Sequence, residues 1–283
     1  MARRLQAGAE TRRHRDARRL QDERARRRQA EGVAAEIGGA TVSSDRAAEI
    51  RAIAFDVQGT CVDFYQPVMR AGAAINAAKG LEIDWAALST EWRELYRASM
   101  DAVIAGRRDW LRVDRIYREA LDRLIEIRGL SDRFKTAERD ELNDVWTKLD
   151  PWPDAVEGLA RLRRRFCTAT LSNAGMASVI ALVKNAGLPF DAILTAELAR
   201  SYKPSSAVYQ LAVDYLGYRP DQILMVACHK YDLKAARAFG MKTAFVPRPL
   251  EFGPDATPDV SPESWFDIYA TSFIELADRL QVG

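Results

Sequence analysis

The hydrophobic positions of this chain follow two different spacings from about residue 50 onward. Short apolar runs rich in β-branched residues predict strands, and apolar residues that recur every three or four positions predict the helices between them. The predicted strands are residues 50–55, 167–171, 192–195, 223–228, 242–246 and 268–270, and the intervening helices are 154–164, 176–186, 205–216 and 232–239. Strands that alternate with helices of crossover length are typical of a doubly wound parallel sheet with a Rossmann-like core. We therefore predict an α/β fold.

The long segment between the first two predicted strands has only the helical spacing. Residues 65–150 begin shortly after the first strand ends. Open α/β sheets bind their ligands at the carboxyl ends of the strands, so an insertion at this point is placed to cover that edge. We predict a core domain made of residues 49–64 and 151–283, with residues 65–150 as a helical cap domain.

The N-terminal segment differs in charge from the rest of the chain. Residues 1–50 contain twelve Arg and eight acidic residues, a balance of +4, whereas the remaining residues have a balance of −2. Acidic residues interrupt the arginines, and the segment has no Phe, Tyr or Trp to stack on bases. We therefore predict that residues 1–48 form an Arg-rich extension, flexible or helical, and expect no nucleic-acid partner. A nucleic-acid-binding arm is the weaker alternative.

Composition narrows the class of protein. The chain has 283 residues, of which 48% are hydrophobic, enough for one α/β domain with an insertion. No apolar run approaches the roughly 20 residues of a membrane span, and no secretory signal begins the chain, so we expect a cytoplasmic protein without membrane contact. The odd number and wide spacing of Cys61, Cys167 and Cys228 indicate neither a disulfide framework nor a zinc site.

Polar residues end the predicted strands in an order that suggests one site. Asp56 ends the first apolar run, where an unpaired carboxylate is costly to bury. Ser172 and Asn173 end the second run with a hydroxyl and an amide that suit an oxyanion. Lys203 precedes a proline at a helix start, and Asp232 follows the fourth run. Because parallel strands end at the same edge of a sheet, we expect these side chains to meet there.

This constellation resembles the haloacid dehalogenase superfamily, and more narrowly its L-2-haloacid dehalogenase (type II) branch. The resemblance covers about residues 50–283. It rests on Phe55-Asp56-Val57-Gln58-Gly59-Thr60, Leu171-Ser172-Asn173, Tyr202-Lys203-Pro204 followed by Val208-Tyr209, and Trp92-Arg93 in the insertion. The catalytic residues that it implies are Asp56 as nucleophile with Thr60, Ser172, Lys203 and Asp232. The substrate-binding residues that it implies are Gln58, Arg93, Asn173, Tyr209, His229 and Tyr231, with Arg93 on the carboxylate or halide.

The resemblance implies hydrolytic dehalogenation of small 2-haloalkanoic acids. Asp56 would displace the halide with inversion and form an ester, and water activated with help from Asp232 and Lys203 would cleave that ester to a 2-hydroxy acid. Lys203 beside two carboxylates would also keep Asp56 ionised. We expect no cofactor and no metal. The expected partner is the halo acid, and a homodimer is compatible with the resemblance.

Several positions differ from the dehalogenase pattern. Gln58 replaces a residue that is commonly aromatic, Ala227 and His229 replace the usual Ser and Asn, and Tyr231 stands where a tryptophan often lines the pocket. These changes alter the wall that faces the halide and the 2-substituent, so the preferred substrate is open. Hydrogen bonds from Gln58 and His229 to a small leaving group such as fluoride are one hypothesis.

Two other functions are compatible with the same fold. The first is a magnesium-dependent phosphatase. Such enzymes usually have a second Asp at the position of Gln58 and further acids at the end of the fourth strand. This chain has Cys228 and His229 at that strand end, and both are poor ligands for Mg²⁺. The second is a catalytically silent binding protein. Retention of Asp56, Lys203 and Asp232 together argues against it.

Overall fold

The structure of the protein is a computed structural model, and it describes residues 50–283. Strands within this range are β1 (Ala52–Phe55), β2 (Val62–Asp63), β3 (Asp150–Pro151), β4 (Cys167–Ser172), β5 (Ala192–Thr195), β6 (Ile223–Ala227), β7 (Lys242–Phe245) and β8 (Ile268–Tyr269). Six of them form a parallel sheet in the order β5-β4-β1-β6-β7-β8, and β2 pairs antiparallel with β3.

The α-helices of the same range are α1 (Tyr65–Lys79), α2 (Trp85–Ile104), α3 (Val113–Ile127), α4 (Thr136–Asn143), α5 (Ala155–Arg163), α6 (Met176–Ala186), α7 (Ser206–Leu216), α8 (Lys230–Phe239) and α9 (Phe273–Arg279). Short 3₁₀ helices lie at Ser131–Arg133, Asp144–Thr147, Ala196–Ala199 and Pro220–Gln222. Helices therefore lie in every connection between successive strands of the parallel sheet except the one from β7 to β8, which is a loop.

The central strands are apolar on both faces. Every residue of β1 and β6 is buried. β1 lies between β4 and β6, with Ala52 opposite both Cys167 and Ile223. Helices on both faces of a parallel sheet leave neither face in water, which explains why these strands are continuous hydrophobic runs and do not alternate. The doubly wound parallel α/β fold predicted from the sequence is confirmed.

The observed elements differ from the predicted ones mainly at their ends. All six strands predicted for the sheet are present, with ends shifted by no more than two residues. The helix predicted over 232–239 begins earlier, at Lys230. The sequence did not indicate β2 and β3, because two-residue strands are too short to show an alternating pattern.

The segment between β2 and β3 is helical and is held together by aromatic side chains. The ring of Tyr117 stacks on Tyr96 and on Trp146, each at a centroid distance of 4.2 Å. The Trp92 indole nitrogen donates to the carbonyl oxygen of Tyr117 at 2.7 Å. These contacts join α2, α3 and the 3₁₀ helix Asp144–Thr147. The boundaries of residues 65–150 as a separate cap domain stay a prediction.

Two expectations concern parts of the chain outside this architecture. No helix within residues 50–283 is long and apolar enough to cross a membrane. The predicted Arg-rich extension, residues 1–48, lies outside the described residues.

Candidate active site

The end of β1 places Asp56 at the centre of the carboxyl edge of the sheet. Its backbone nitrogen continues the ladder by donating to the carbonyl oxygen of Val226 at 3.0 Å. The chain then turns through Gly59, whose φ of 86° favours glycine. This turn brings Thr60 back onto the nucleophile candidate, where its hydroxyl donates to Asp56 Oδ2 at 2.7 Å. The backbone nitrogen of Cys228 donates to the same hydroxyl oxygen at 3.0 Å and so orients it.

Lys203 joins the two predicted carboxylates. Its Nζ lies 2.8 Å from Asp56 Oδ1 and 2.5 Å from Asp232 Oδ2, and its side chain is 1% exposed. Asn173 Oδ1 accepts a hydrogen bond from the Lys203 backbone nitrogen at 2.7 Å, which fixes the start of this segment. Burial disfavours the ammonium ion, but Asp232 and Asp56 outweigh it and raise the pKa of Lys203 above its ordinary value. Lys203 is therefore charged.

The two carboxylates differ in their surroundings. Burial raises the pKa of both, but at Asp56 the charge of Lys203 and the hydrogen bond from His229 outweigh burial and hold the pKa well below its usual range. At Asp232, burial and the nearby charge of Asp56 prevail over Lys203, and the pKa is raised. The Tyr209 hydroxyl donates to Asp232 Oδ1 at 2.7 Å. Asp56 is thus an ionised nucleophile candidate, and Asp232 is the more basic group.

His229 lies between Asp56 and a second buried acid, Glu251. Its Nδ1 is 3.0 Å from Asp56 Oδ2, and its Nε2 is 2.7 Å from Glu251 Oε1. Burial disfavours the charged ring, but the neighbouring Cys228 and Glu251, and the hydrogen bond to Asp56, raise the pKa of His229 well above its ordinary value. Both ring nitrogens face carboxylate oxygens, so both carry protons. A hydrogen bond from His229 to a leaving halide would require one of these contacts to open.

A cavity of about 740 Å³ opens beside Asp56. Its lining includes most of the predicted site residues, namely Asp56, Gln58, Arg93, Ser172, Asn173, His229 and Tyr231. Tyr96 and Met100 from α2, and Phe252 from the loop after β7, contribute apolar side chains to the wall, and α2 also contributes Arg97. The cavity is large enough for a small carboxylic acid and places it against Asp56.

Arg93 is the predicted substrate contact from the helical segment, and aromatic side chains hold it. One guanidinium nitrogen donates to the Tyr117 hydroxyl at 2.6 Å, and that hydroxyl donates to Gln58 Oε1 at 3.2 Å. The guanidinium carbon lies 4.6 Å from the centre of the Phe64 ring and 5.3 Å from that of Tyr96. A planar cation held over rings by cation–π contacts keeps its remaining donors in a fixed direction.

The structure divides the predicted site residues into two groups. One hydrogen-bonded network contains Asp56, Thr60, Lys203, Tyr209, His229 and Asp232. Tyr209 is fully buried against Asp232 and is not among the residues that line the cavity. The others line the cavity, and Ser172 also accepts a hydrogen bond through its hydroxyl oxygen from the Ala174 backbone nitrogen at 3.2 Å.

Glu251 and Tyr117 were not predicted from the sequence. Glu251 lies in a loop after β7 with no periodic pattern, and Tyr117 occupies a core position of an amphipathic helix. The one available signal for Glu251 was indirect, because a histidine at a buried strand end needs a partner for its second nitrogen.

The residues present do not fit a magnesium ion. Both oxygens of Asp56 already accept hydrogen bonds, and Gln58 stands where a second acid is usual. The part of the chain that the structure describes has one group of three potential metal-binding side chains, Cys228, His229 and Glu251. Its sulfur and imidazole ligands do not match the oxygen preference of Mg²⁺. The group is hydrogen bonded within itself.

Comparison with known proteins agrees with this geometry. Residues 50–240 match the family described as haloacid dehalogenase-like hydrolase, and the chain belongs to that family. The resemblance stated from the sequence motifs is confirmed.

Relatives within the family are more specific. The (S)-2-haloacid dehalogenase 4A of Burkholderia cepacia is 30% identical over 217 residues, which cover 72% of this chain and 88% of that protein. The (S)-2-haloacid dehalogenase of Pseudomonas sp. (strain YL) is 32% identical, with coverage of 70% and 83%. The crystal structure of a defluorinating L-2-haloacid dehalogenase is 37% identical with a TM-score of 0.79, and the alignment covers 82% of this chain and 96% of that one.

Proposed function

We propose that this protein hydrolyses the carbon–halogen bond of small 2-haloalkanoic acids to give 2-hydroxy acids. The observation that carries the proposal is the position of Asp56. Asp56 is 7% exposed, its carboxylate is hydrogen bonded to a buried lysine, and it lines a cavity that Arg93 also lines. The named activities of the relatives support the reaction type.

In the first step, an oxygen of Asp56 attacks the halogen-bearing carbon from behind. The oxygen–carbon bond forms, the carbon–halogen bond breaks, and the halide leaves with the bonding electrons, so the configuration inverts. An ionised carboxylate with little exposure to water is a stronger nucleophile than a hydrated one. Lys203 and His229 keep Asp56 ionised, as the low pKa of Asp56 indicates.

Arg93 and Asn173 are the proposed contacts for the substrate carboxylate. Both line the cavity beside Asp56. The guanidinium group offers parallel donors that match a carboxylate, and its own position is fixed by Tyr117. Binding the carboxylate there would hold the adjacent carbon against Asp56, which converts a bimolecular displacement into a positioned one.

In the second step, water attacks the carbonyl carbon of the Asp56 ester. One proton of that water passes to Asp232, whose raised pKa suits a base, and Lys203 protonates the departing alkoxide oxygen. Because Lys203 contacts both carboxylates, Asp232 then returns the proton to Lys203. The remaining water proton leaves as Asp56 ionises again. The product hydroxyl oxygen therefore comes from Asp56.

The other functions fit the site less well. A magnesium-dependent phosphatase would need ligand oxygens on Asp56 that are occupied by Lys203, Thr60 and His229. A silent binding protein has no use for a buried charge network, which is costly to retain. The cytoplasmic location and the homodimer stay predictions.

The proposal is tested by halide release from L-2-chloropropionate and from fluoroacetate, with a generic phosphate ester assayed beside them. We expect chloride release without added metal and no phosphate release with or without Mg²⁺. Phosphate release that depends on Mg²⁺, in the absence of halide release, would replace this proposal with the phosphatase. Fluoroacetate is included because the structural relative is a defluorinating enzyme.

A further inference from the structure

The mechanism above gives Glu251 no role and uses His229 only to keep Asp56 ionised. His229 contacts the nucleophile directly, and Glu251 contacts His229. The carboxylate of Glu251 is 4% exposed and its oxygen lies 2.7 Å from His229 Nε2. A carboxyl group buried at this depth, and hydrogen bonded to a residue that contacts the nucleophile, needs an explanation.

The two oxygens of Asp56 are not equivalent. Oδ1 accepts one hydrogen bond, from Lys203 at 2.8 Å. Oδ2 accepts two, from the Thr60 hydroxyl at 2.7 Å and from His229 Nδ1 at 3.0 Å. Since Oδ2 is already saturated by donors, Oδ1 is the oxygen with a lone pair left for attack on carbon. Once Oδ1 forms the ester, Oδ2 becomes the carbonyl oxygen.

We propose that Thr60 and the His229–Glu251 pair form the oxyanion site for hydrolysis of the Asp56 ester. This inference rests on the proposed function and deepens it. When water bonds to the carbonyl carbon, the carbonyl electron pair moves onto Oδ2. Two donors already lie within hydrogen-bond distance of that atom, as an oxyanion site requires. When the intermediate collapses, that pair re-forms the carbonyl bond and the bond from carbon to Oδ1 breaks.

The charge of His229 makes this arrangement selective for the second step. In the free enzyme the ring lies between ionised Asp56 and the carboxyl group of Glu251. Formation of the ester removes the charge of Asp56 but leaves the protonated ring beside Oδ2. Negative charge that returns to Oδ2 in the tetrahedral intermediate therefore meets a fixed cation in a buried site, where electrostatic stabilisation is strong.

Glu251 is a positioning residue in this account. It touches neither substrate nor Asp56, and it holds the ring orientation and the proton on Nε2 in the way that a buried acid orients a catalytic histidine. The turn after β1 is shaped to accept it. A Cβ at Gly59 would lie 2.2 Å from Glu251 Oε1 and 3.2 Å from the His229 ring, so no side chain fits there.

The test separates the two chemical steps. Rapid-quench measurement of chloride from L-2-chloropropionate gives the first step as a burst, and intact-protein mass spectrometry during turnover gives the fraction of enzyme that carries the ester. The variants are Glu251→Gln, which keeps the shape and loses the charge, and His229→Phe, which keeps a ring without donors. Glu197→Gln is the matched control, since its carboxylate accepts a hydrogen bond from the Met176 backbone nitrogen and Glu197 does not line the cavity.

We expect steady-state turnover to fall about tenfold or more in Glu251→Gln and roughly 100-fold in His229→Phe, the cost of one lost oxyanion donor. The chloride burst should stay within a few-fold of wild type, and most of each variant enzyme should carry the ester during turnover. The Glu197→Gln enzyme should behave as wild type. Thermal unfolding of each variant establishes that the protein under assay is folded.

Two results would overturn the inference. If burst and steady-state rates fell together with no ester accumulating, the pair would act in the first step. If both variants turned over at the wild-type rate, the pair would have no role in the reaction. Failure of the proposed function looks different, because wild-type enzyme would then show neither chloride release nor an ester.

Discussion

The two sides of the cavity are built from opposite kinds of residue. The cavity floor, defined as Asp56, Lys203, His229, Asp232 and Glu251, is a network of buried charges in which each group contacts one of opposite sign. The cavity roof, defined as Arg93 with the rings of Phe64, Tyr96 and Tyr117, has a single cation held over aromatic side chains.

This difference indicates that the floor and the roof have different functions. A network of fixed charges stabilises charge that moves during a reaction, so the floor is suited to the chemical steps. A cation held in place by aromatic rings can bind one anionic group, so the roof is suited to recognition of the substrate. Changes in the floor should therefore lower kcat, and changes in the roof should mainly raise KM.

The largest effect is expected from Asp56→Asn, which replaces the attacking oxygen without changing the size of the side chain. Loss of a covalent nucleophile should lower kcat by about 10⁴-fold or more. The measurement is chloride release at saturating L-2-chloropropionate, with the intact mass checked for conversion back to Asp. A variant that turned over near the wild-type rate would show that the reaction does not require the Asp56 carboxylate.

In the roof, Arg93→Lys should lower kcat/KM by about 100-fold, because the ammonium group lacks the planar fork that grips a carboxylate. Most of the loss should appear in KM. Arg97→Lys is the matched control, since Arg97 lines the same cavity on the same helix but pairs with Asp101 at 3.0 Å. Equal effects of the two substitutions would show that Arg93 is not a specific carboxylate contact.

A smaller effect on kcat is expected from Tyr209, which lies behind the floor. Tyr209→Phe removes the hydrogen bond to Asp232 Oδ1, and kcat should fall about tenfold, the value of roughly one hydrogen bond to a charged group. KM should not change, because Tyr209 does not line the cavity. Tyr215→Phe is the control, as Tyr215 lies on the same helix and is 62% exposed. A rise in KM for Tyr209→Phe would contradict the difference in function between floor and roof.

No effect is expected from a chelator. The floor carboxylates have hydrogen-bond partners within the protein, and the site does not fit Mg²⁺, so activity should be the same after dialysis against EDTA. Loss of activity that Mg²⁺ restored would favour the phosphatase-type mechanism. Loss that Zn²⁺ restored would instead point to metal binding by Cys228, His229 and Glu251.

The sequence predicted the floor better than the roof. Asp56, Lys203 and Asp232 stand beside buried strands or a helix start, positions where a charged residue conflicts with the apolar pattern and so demands a reason. Tyr117 belongs to the roof and obeys the pattern of a core residue, so nothing in the spacing separates it from packing. The strands of the sheet could be predicted because their apolar runs are long enough to form a recognisable pattern.

Glu251 is a floor residue that could not be predicted from the sequence. It is part of the floor, but its loop has neither a strand nor a helical pattern, and only the folded chain brings it to His229. A contact between residues of two separate loops is set by the tertiary fold, and no local sequence pattern predicts it.

The central claim is that Asp56 is the nucleophile, and isotope position tests it most directly. A single turnover of excess enzyme with L-2-chloropropionate in ¹⁸O-water should leave the label on Asp56, found by mass spectrometry of the peptide that contains it. The first D-lactate molecule should carry unlabelled oxygen. Label in the first product with unlabelled Asp56 would mean that water attacks the substrate directly, with Asp56 as a base.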